Sequence, residues 1–294
     1  MKKLFLCFIF PILLSIILHY GFCTNYTQST FNISGFNKQY NSGVFQYRIV
    51  GIKLIPVVYN WLNTDNIVAS HFRTVFQKTP IRLHDSDNAV FYGAYMIVNT
   101  IGLIIMCFFL YLLVPQLYKY FSILLIVGLS LYVVTPYDTL SYAALVSGYY
   151  LIKTNKLFIV LLFLILVGTL IRESMALIIP FYIACNCKDY KKIVMVLITF
   201  LISYFGIRYF MGSYQINHTG YILDSTIKHG HTLIGLAMLL MVSFILLMPI
   251  QKKRKVVIYT LFALPYLIYT ICVAQPWEIR LWVPYWLGIS TIEQ

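Results

Sequence analysis

The sequence is short of charge. Only 11% of its 294 residues are Asp, Glu, Lys or Arg, and just nine are acids. A water-soluble domain carries about 25% charged residues. The deficit excludes a chain whose whole surface faces water. The six cysteines form no metal or redox pattern. Five lie in or beside apolar runs, and Cys185-Asn186-Cys187 lacks the two-residue gap of a zinc knuckle or thiol–disulfide pair, with no His nearby. Most of them read as small buried hydrophobes. The sequence also has no low-complexity tract and no internal repeat, the trace that paired transporter halves leave.

Apolar residues fill the space. They make up 60% of the chain, its mean hydropathy is +0.80, and it holds 25 Tyr and 21 Phe. Aromatic rings are enriched where membrane meets water. The length suffices for about ten spans and leaves little for a separate soluble domain. The net charge of +13 comes from short basic clusters between apolar runs. Such clusters are topology signals, and no basic domain is left for nucleic acid.

These features predict an all-α fold, a polytopic transmembrane helical bundle of about ten membrane segments with a cytoplasmic N-terminus. Residues 1–23 read as a retained signal anchor and first transmembrane helix, because His19-Tyr20-Gly21-Phe22-Cys23 offers no small-x-small cleavage site. Residues 24–89 read as an extracytoplasmic loop. Within it Val44 to Leu62 is apolar apart from Gln46, Arg48, Lys53, Pro56 and Asn60, which predicts a helix lying on the interface. Residues 90–294 read as the bundle, with apolar runs at roughly 90–114, 121–135, 139–152, 157–171, 174–187, 192–211, 231–250, 256–275 and 282–292. Alternate breaks hold Lys119; Lys153 and Lys156; Lys188, Lys191 and Lys192; and Lys252 to Lys255. With Lys2 and Lys3 these make twelve cations against one acid, Asp189. That is the positive-inside bias.

The few acids stand out on the opposite side. Asp138 lies in Thr135-Pro136-Tyr137-Asp138, Glu173 follows Arg172, and Glu278 lies two residues before Arg280. The runs beside Asp138 and Glu173 hold only about 14–15 residues, about 22 Å of helix against a hydrocarbon core of about 30 Å. Anchored at their lysine ends, they leave these charges sunk below the far interface, where charge needs a partner or water. A hydrated cavity lined by Asp138, Arg172, Glu173, Glu278 and Arg280 satisfies that need. The structural alternative is that Arg172–Glu173 and Glu278–Arg280 are ion pairs that cap helices. Adjacent residues on a helix do not face each other, so such pairs form across helices. Asp138 has no neighbouring cation in sequence and can equally cap a helix beginning at Thr139. In His84-Asp85-Ser86-Asp87 two acids can hold a divalent cation or share a proton, or belong to a solvated loop. His218, His229 and His231 have no acid or Cys at ligand spacing and read as interfacial. No metal site is assigned. The sequons at Asn25, Asn32 and Asn217 are frequent by chance in an Asn-rich chain.

The first span, the long outer loop, Thr135-Pro136-Tyr137-Asp138, Leu170-Ile171-Arg172-Glu173-Ser174 and Trp277-Glu278-Ile279-Arg280-Leu281-Trp282 together resemble the GT-C superfamily of membrane glycosyltransferases. They look in particular like a group of bacterial membrane proteins typically found among surface-polysaccharide genes. The resemblance implies transfer of a sugar from a polyprenyl-phosphate-linked donor to a glycan or lipid-linked acceptor, on the extracytoplasmic face of a bacterial inner membrane. It implies an acidic catalytic residue in the first outer loop, where Asp85 and Asp87 fit the type although they sit at the loop's far end. Asp138 and Glu173 complete the candidate bases. Arg172, Glu278 and Arg280 are the candidate substrate ligands. The cofactor is unassigned, and a divalent cation fits the chemistry. Two other functions fit the layout, an O-antigen or capsule repeat-unit polymerase and a small-solute transporter. The topology has a direct check. Alkaline phosphatase fused after Lys188 should be inactive and the same fusion after Asn60 active; the reverse pattern removes the orientation.

Overall fold

The computed structural model describes residues 2–21, 32–41, 43–78, 86–114, 116–131, 135–212, 253–273 and 279–292. Among them the fold is all-helical and contains no strand. The predicted segment 231–250 lies outside them.

Helix α1 (Phe5–Gly21) is apolar and π-helical over Phe5–Ile9. Two of its polar groups bond to one partner helix. Ser15 Oγ meets Thr100 Oγ1 at 2.6 Å, and the Tyr92 hydroxyl donates to the His19 carbonyl at 2.8 Å. That partner is α5 (Ser86–Leu113), at 28 residues and about 42 Å the longest helix among the described residues.

The apolar stretch Val44 to Leu62 is helical as α3 (Ile49–Thr64), preceded by a 3-10 turn, Gly43–Tyr47. Two further helices flank it, α2 (Ile33–Tyr40) and α4 (Asn66–Lys78). Both have legible caps. The Asn32 side chain accepts from Gly35 N, and Asp65 Oδ1 accepts from Ile67 N at 2.9 Å. Side-chain oxygens thus satisfy backbone donors that a helix leaves open.

These three helices wrap the N-terminal half of α5, whose residues 89–95 are almost all buried. The contact is aromatic, with Phe36 edge-on to Phe91 and Tyr95, Tyr59 edge-on to Phe91, and the Phe72 ring against Gly93. The C-terminal half of α5 is different. Ile101, Ile105, Phe108 and Leu112 are exposed at helical spacing along one face.

Helix α6 (Leu117–Ser130) rises beside α1, where the Tyr120 hydroxyl reaches the Leu6 carbonyl at 2.8 Å. Helix α7 (Asp138–Thr154) packs on α5 more extensively than any other pair of helices among the described residues. It turns back through Asn155 and Leu157, both in the left-handed region, into α8 (Phe158–Ile171). A 3-10 turn, Glu173–Leu177, leads into α9 (Ile178–Asn186). Helix α10 (Tyr190–Met211) packs on α8, and α11 (Lys253–Val273) and α12 (Ile279–Ile292) pair against α9 and α7.

Several helices present apolar side chains outward. On α10, Val194, Ile198, Ile202 and Phe205 are all strongly exposed. Among the described residues two helices, Asp87–Leu113 and Tyr190–Met211, are long and apolar enough to cross a membrane. Four more are apolar but shorter, at Phe5–Gly21, Leu117–Ser130, Phe158–Ile171 and Glu173–Asn186.

Close backbone approach fixes the depth of α7 against α5. A Cβ on Gly102 would lie 2.7 Å from Thr139 Oγ1 and 2.8 Å from its backbone carbon. Thr139 also donates to Asn99 Oδ1 at 2.8 Å. The start of α7 is therefore pinned near the middle of α5. Gly128 on α6 has only Leu14 nearby, at 3.6 Å. Gly102→Val should cost about 1–3 kcal/mol through overpacking, read as a lower melting temperature in detergent, with Gly128→Ala close to wild type. Equal behaviour of the two would show that the α5–α7 contact is not close-packed.

Candidate functional site

Three chain segments end at one level. Helix α7 starts at Asp138, α8 stops at Ile171, and the 3-10 turn starts at Glu173. Arg172 between the last two is extended, at φ −164 and ψ 147. From the lysine-bearing turn near Lys156, α7 and α8 reach only about 25 Å and about 21 Å. Their tips converge because their helices stop short together.

Asp138 is fully buried and Arg172 is 3% exposed. An Arg172 Nη1 hydrogen touches Asp138 Oδ1 in a short charge-assisted contact. Arg280, from the start of α12, brings Nη1 to 4.0 Å from Asp138 Oδ2. That second oxygen is buried and accepts no hydrogen bond from the described residues. The sequence allowed Asp138 to be a solvated cap of a helix beginning at Thr139. The structure corrects this. Asp138 is the first residue of α7, makes an ion pair across helices and sees no solvent.

Glu173 forms a parallel arrangement with different partners. Arg48, at the N-cap position of α3, places Nε and Nη2 each 3.0 Å from Glu173 Oε2. Arg208, in the last turn of α10, places Nη2 3.6 Å from Oε1. So each carboxylate is faced by two arginines from different elements, and adjacent Arg172 and Glu173 point to different partners.

Aromatic rings separate the two halves. The Tyr137 ring has the Arg48 guanidinium 4.4 Å from its centroid and that of Arg172 at 5.7 Å. Arg208 sits 3.5 Å from the Tyr204 centroid and 4.5 Å from that of Tyr47. Such cation–π contacts strengthen where water is excluded. Gly51 allows the approach, since a Cβ there would lie 2.7 Å from Tyr137 Cβ.

The position of Arg280 is set by a proline. Pro284 has no N–H and so leaves the Arg280 carbonyl without its helical donor. The Tyr142 hydroxyl supplies one at 2.9 Å. Tyr142 lies one turn beyond Asp138 on the same face of α7. That face thus holds Arg280 twice, by its charge and by its carbonyl.

Exposure grades across the cluster. Asp138 and Arg172 are sealed, while the side chains of Arg48, Arg280, Arg208 and Glu173 are 13%, 17%, 24% and 24% exposed. The solvent-touching edge therefore contains a carboxylate between two guanidiniums. An acid there can take a proton, and arginine forks can bind phosphate or carboxylate oxygens.

The other candidate residues fall elsewhere. Asp87 is exposed in the first turn of α5 and pairs with Arg73 at 3.9 Å. It lies fifteen residues before Gly102, about 22 Å along the helix from the level of Thr139. Asp85 and Glu278 lie outside the described residues, as do His218, His229 and His231. Among the described residues no three metal-ligating side chains group together. A cavity of about 480 Å³ between α1 and α6 is lined by apolar residues such as Phe10, Leu14, Phe121 and Leu125, and touches none of the charged cluster. Arg48, Arg208, Tyr137 and Tyr142 were not singled out from sequence. Arg208 carried a faint signal, as a lone cation near the end of an apolar run. No protein-family model, curated protein or solved structure matches the chain.

Removing one member of a buried ion pair leaves the other uncompensated and costs about 3–5 kcal/mol. Arg172→Gln and Asp138→Asn should each lower the melting temperature strongly, and the double variant should lose clearly less than their sum. Additive losses would mean that the two side chains do not act as a pair.

Proposed function

We propose that this chain is a polytopic membrane glycosyltransferase with its N-terminus in the cytoplasm and its site toward the extracytoplasmic side of a bacterial inner membrane. It moves a sugar from a polyprenyl-phosphate-linked donor to a glycan or lipid-linked acceptor in surface-polysaccharide synthesis. The observation that carries this reading is the cluster of four arginines and two carboxylates at the ends of α3, α7, α8, α10 and α12. About ten membrane segments accommodate the apolar helices and the apolar runs between them. A lipid-linked donor keeps its tail in the bilayer, so its phosphate must be met at membrane depth. Charged side chains are seldom kept there without a role.

The proposed roles follow from exposure. Glu173, at the accessible edge, takes the proton of the acceptor hydroxyl. Arg48, Arg208 and Arg280 stabilise the charge that grows on the departing phosphate. Asp138 is sealed from solvent and acts as a positioning residue for Arg172 and Arg280. In the reaction the sugar C1–O bond to phosphate breaks, its electron pair stays on the phosphate oxygen, and the acceptor oxygen bonds C1. Asp87 stands apart from this group.

The arginine content also suits a polymerase that joins lipid-linked repeat units, and one experiment separates the readings. Surface glycans and lipid-linked saccharides are compared in a deletion strain and in the same strain carrying wild type or Glu173→Gln. A sugar restored by wild type and absent with Glu173→Gln supports the transferase. Short, unpolymerised repeats support the polymerase, and unchanged glycans in all strains remove both.

A further inference from the structure

Helix α11 packs against the 3-10 turn that begins at Glu173. It brings two tyrosines there, three residues apart and so on one face. Tyr266 is half-buried, and its hydroxyl donates to the Leu281 carbonyl at 2.9 Å, next to Arg280 in α12. The same hydroxyl interacts electrostatically with Arg172, Glu173 and Arg48. Tyr269 continues the row outward. It is 58% exposed, and its hydroxyl interacts electrostatically with Glu173, Tyr204, Arg48 and Arg208. Among the described residues nothing stacks on its ring or hydrogen-bonds its hydroxyl. Exposed tyrosines at helix starts, such as Tyr118 and Tyr190, are explained by the preference of such rings for a membrane interface. Tyr269 differs from them in standing beside the accessible carboxylate of the charged cluster.

A free aromatic face next to a carboxylate and a guanidinium matches the two kinds of surface on a sugar. The ring face carries partial negative charge and meets the C–H face of a pyranose. The carboxylate and the guanidinium meet hydroxyls at the sugar's edge. We infer that Tyr269 is a substrate-contact residue whose ring carries a sugar of the acceptor beside Glu173, so that the attacked hydroxyl belongs to a sugar ring and not to a lipid phosphate. The inference rests on the transferase reading above and narrows its acceptor class. Glu173 takes the acceptor's proton on that reading, so the sugar next to it is the acceptor's.

The test uses the full chain in membranes of the deletion strain, which supply the lipid-linked donor. The probe is the truncated surface glycan extracted from that strain, added at increasing concentration. Tyr269→Ala and Tyr269→Leu should each raise KM for this glycan about tenfold, with kcat within about twofold of wild type. Tyr269→Trp keeps an aromatic face and should restore most of the lost affinity. Melting temperatures report folding, and Tyr269→Leu, which keeps apolar bulk, carries the test if Tyr269→Ala does not fold. An unchanged KM in folded Tyr269→Leu, or a loss that Tyr269→Trp fails to restore, overturns the role of the ring. A truncated glycan that accepts no sugar, while wild type still restores the strain's surface glycan, overturns the sugar acceptor and leaves the transferase reading standing. Surface glycans unchanged by the deletion remove the transferase reading and this inference with it.

Discussion

Charge that leaves water must be met by opposite charge. In this fold that requirement acts on Asp138 and Arg172, both sealed from solvent. An isolated buried carboxylate or guanidinium costs several kcal/mol, and the pair is tolerable only with close geometry. Asp138 heads α7 and Arg172 follows α8, so the two helix tips must meet. Once they meet, Glu173 is carried to Arg48 on α3 and Arg208 on α10. The close contact of α7 on α5 through Gly102 sets how deep that meeting point lies. The arrangement of α3, α7, α8, α10 and α12 thus depends on one neutralisation.

The aromatic residues make this arrangement specific. Tyr137 lies between Arg48 and Arg172, and Tyr142 holds the carbonyl that Pro284 sets free. Hydrophobic packing alone would let α12 slide or rotate against α7. A hydroxyl bonded to one particular carbonyl, together with a carboxylate facing the same residue's guanidinium, selects one register.

Much of the helical layout was legible in the sequence because apolar runs and lysine-rich breaks alternate. The run expected at 139–152 appears as Asp138–Thr154, and that at 192–211 as Tyr190–Met211. Asp138, Arg172, Glu173 and Arg280 were legible because each is a rare charge at the edge of an apolar run. Arg48 was not, since it stands in a polar stretch near Lys53 and nothing local says which of the two turns inward. Lys53 is exposed, whereas Arg48 reaches Glu173 across 125 residues. Pairing at that separation is set by tertiary packing and leaves no local pattern. Asp87 shows the reverse failure. Its acidic neighbourhood resembles a catalytic pair, but α5 carries it far from the other charges.

The order of the charges along the chain bears on how such a molecule is made. Under the membrane reading, α8 and α9 enter as a hairpin with Arg172 and Glu173 at its tip. By then Arg48 and Asp138 have already been synthesised, one partner for each tip charge. The hairpin tip is therefore neutralised on arrival, by residues in place before it. Arg208 and Arg280 come later and join a core already balanced. On that reading neither tip charge depends on the C-terminal helices for a first partner of opposite sign.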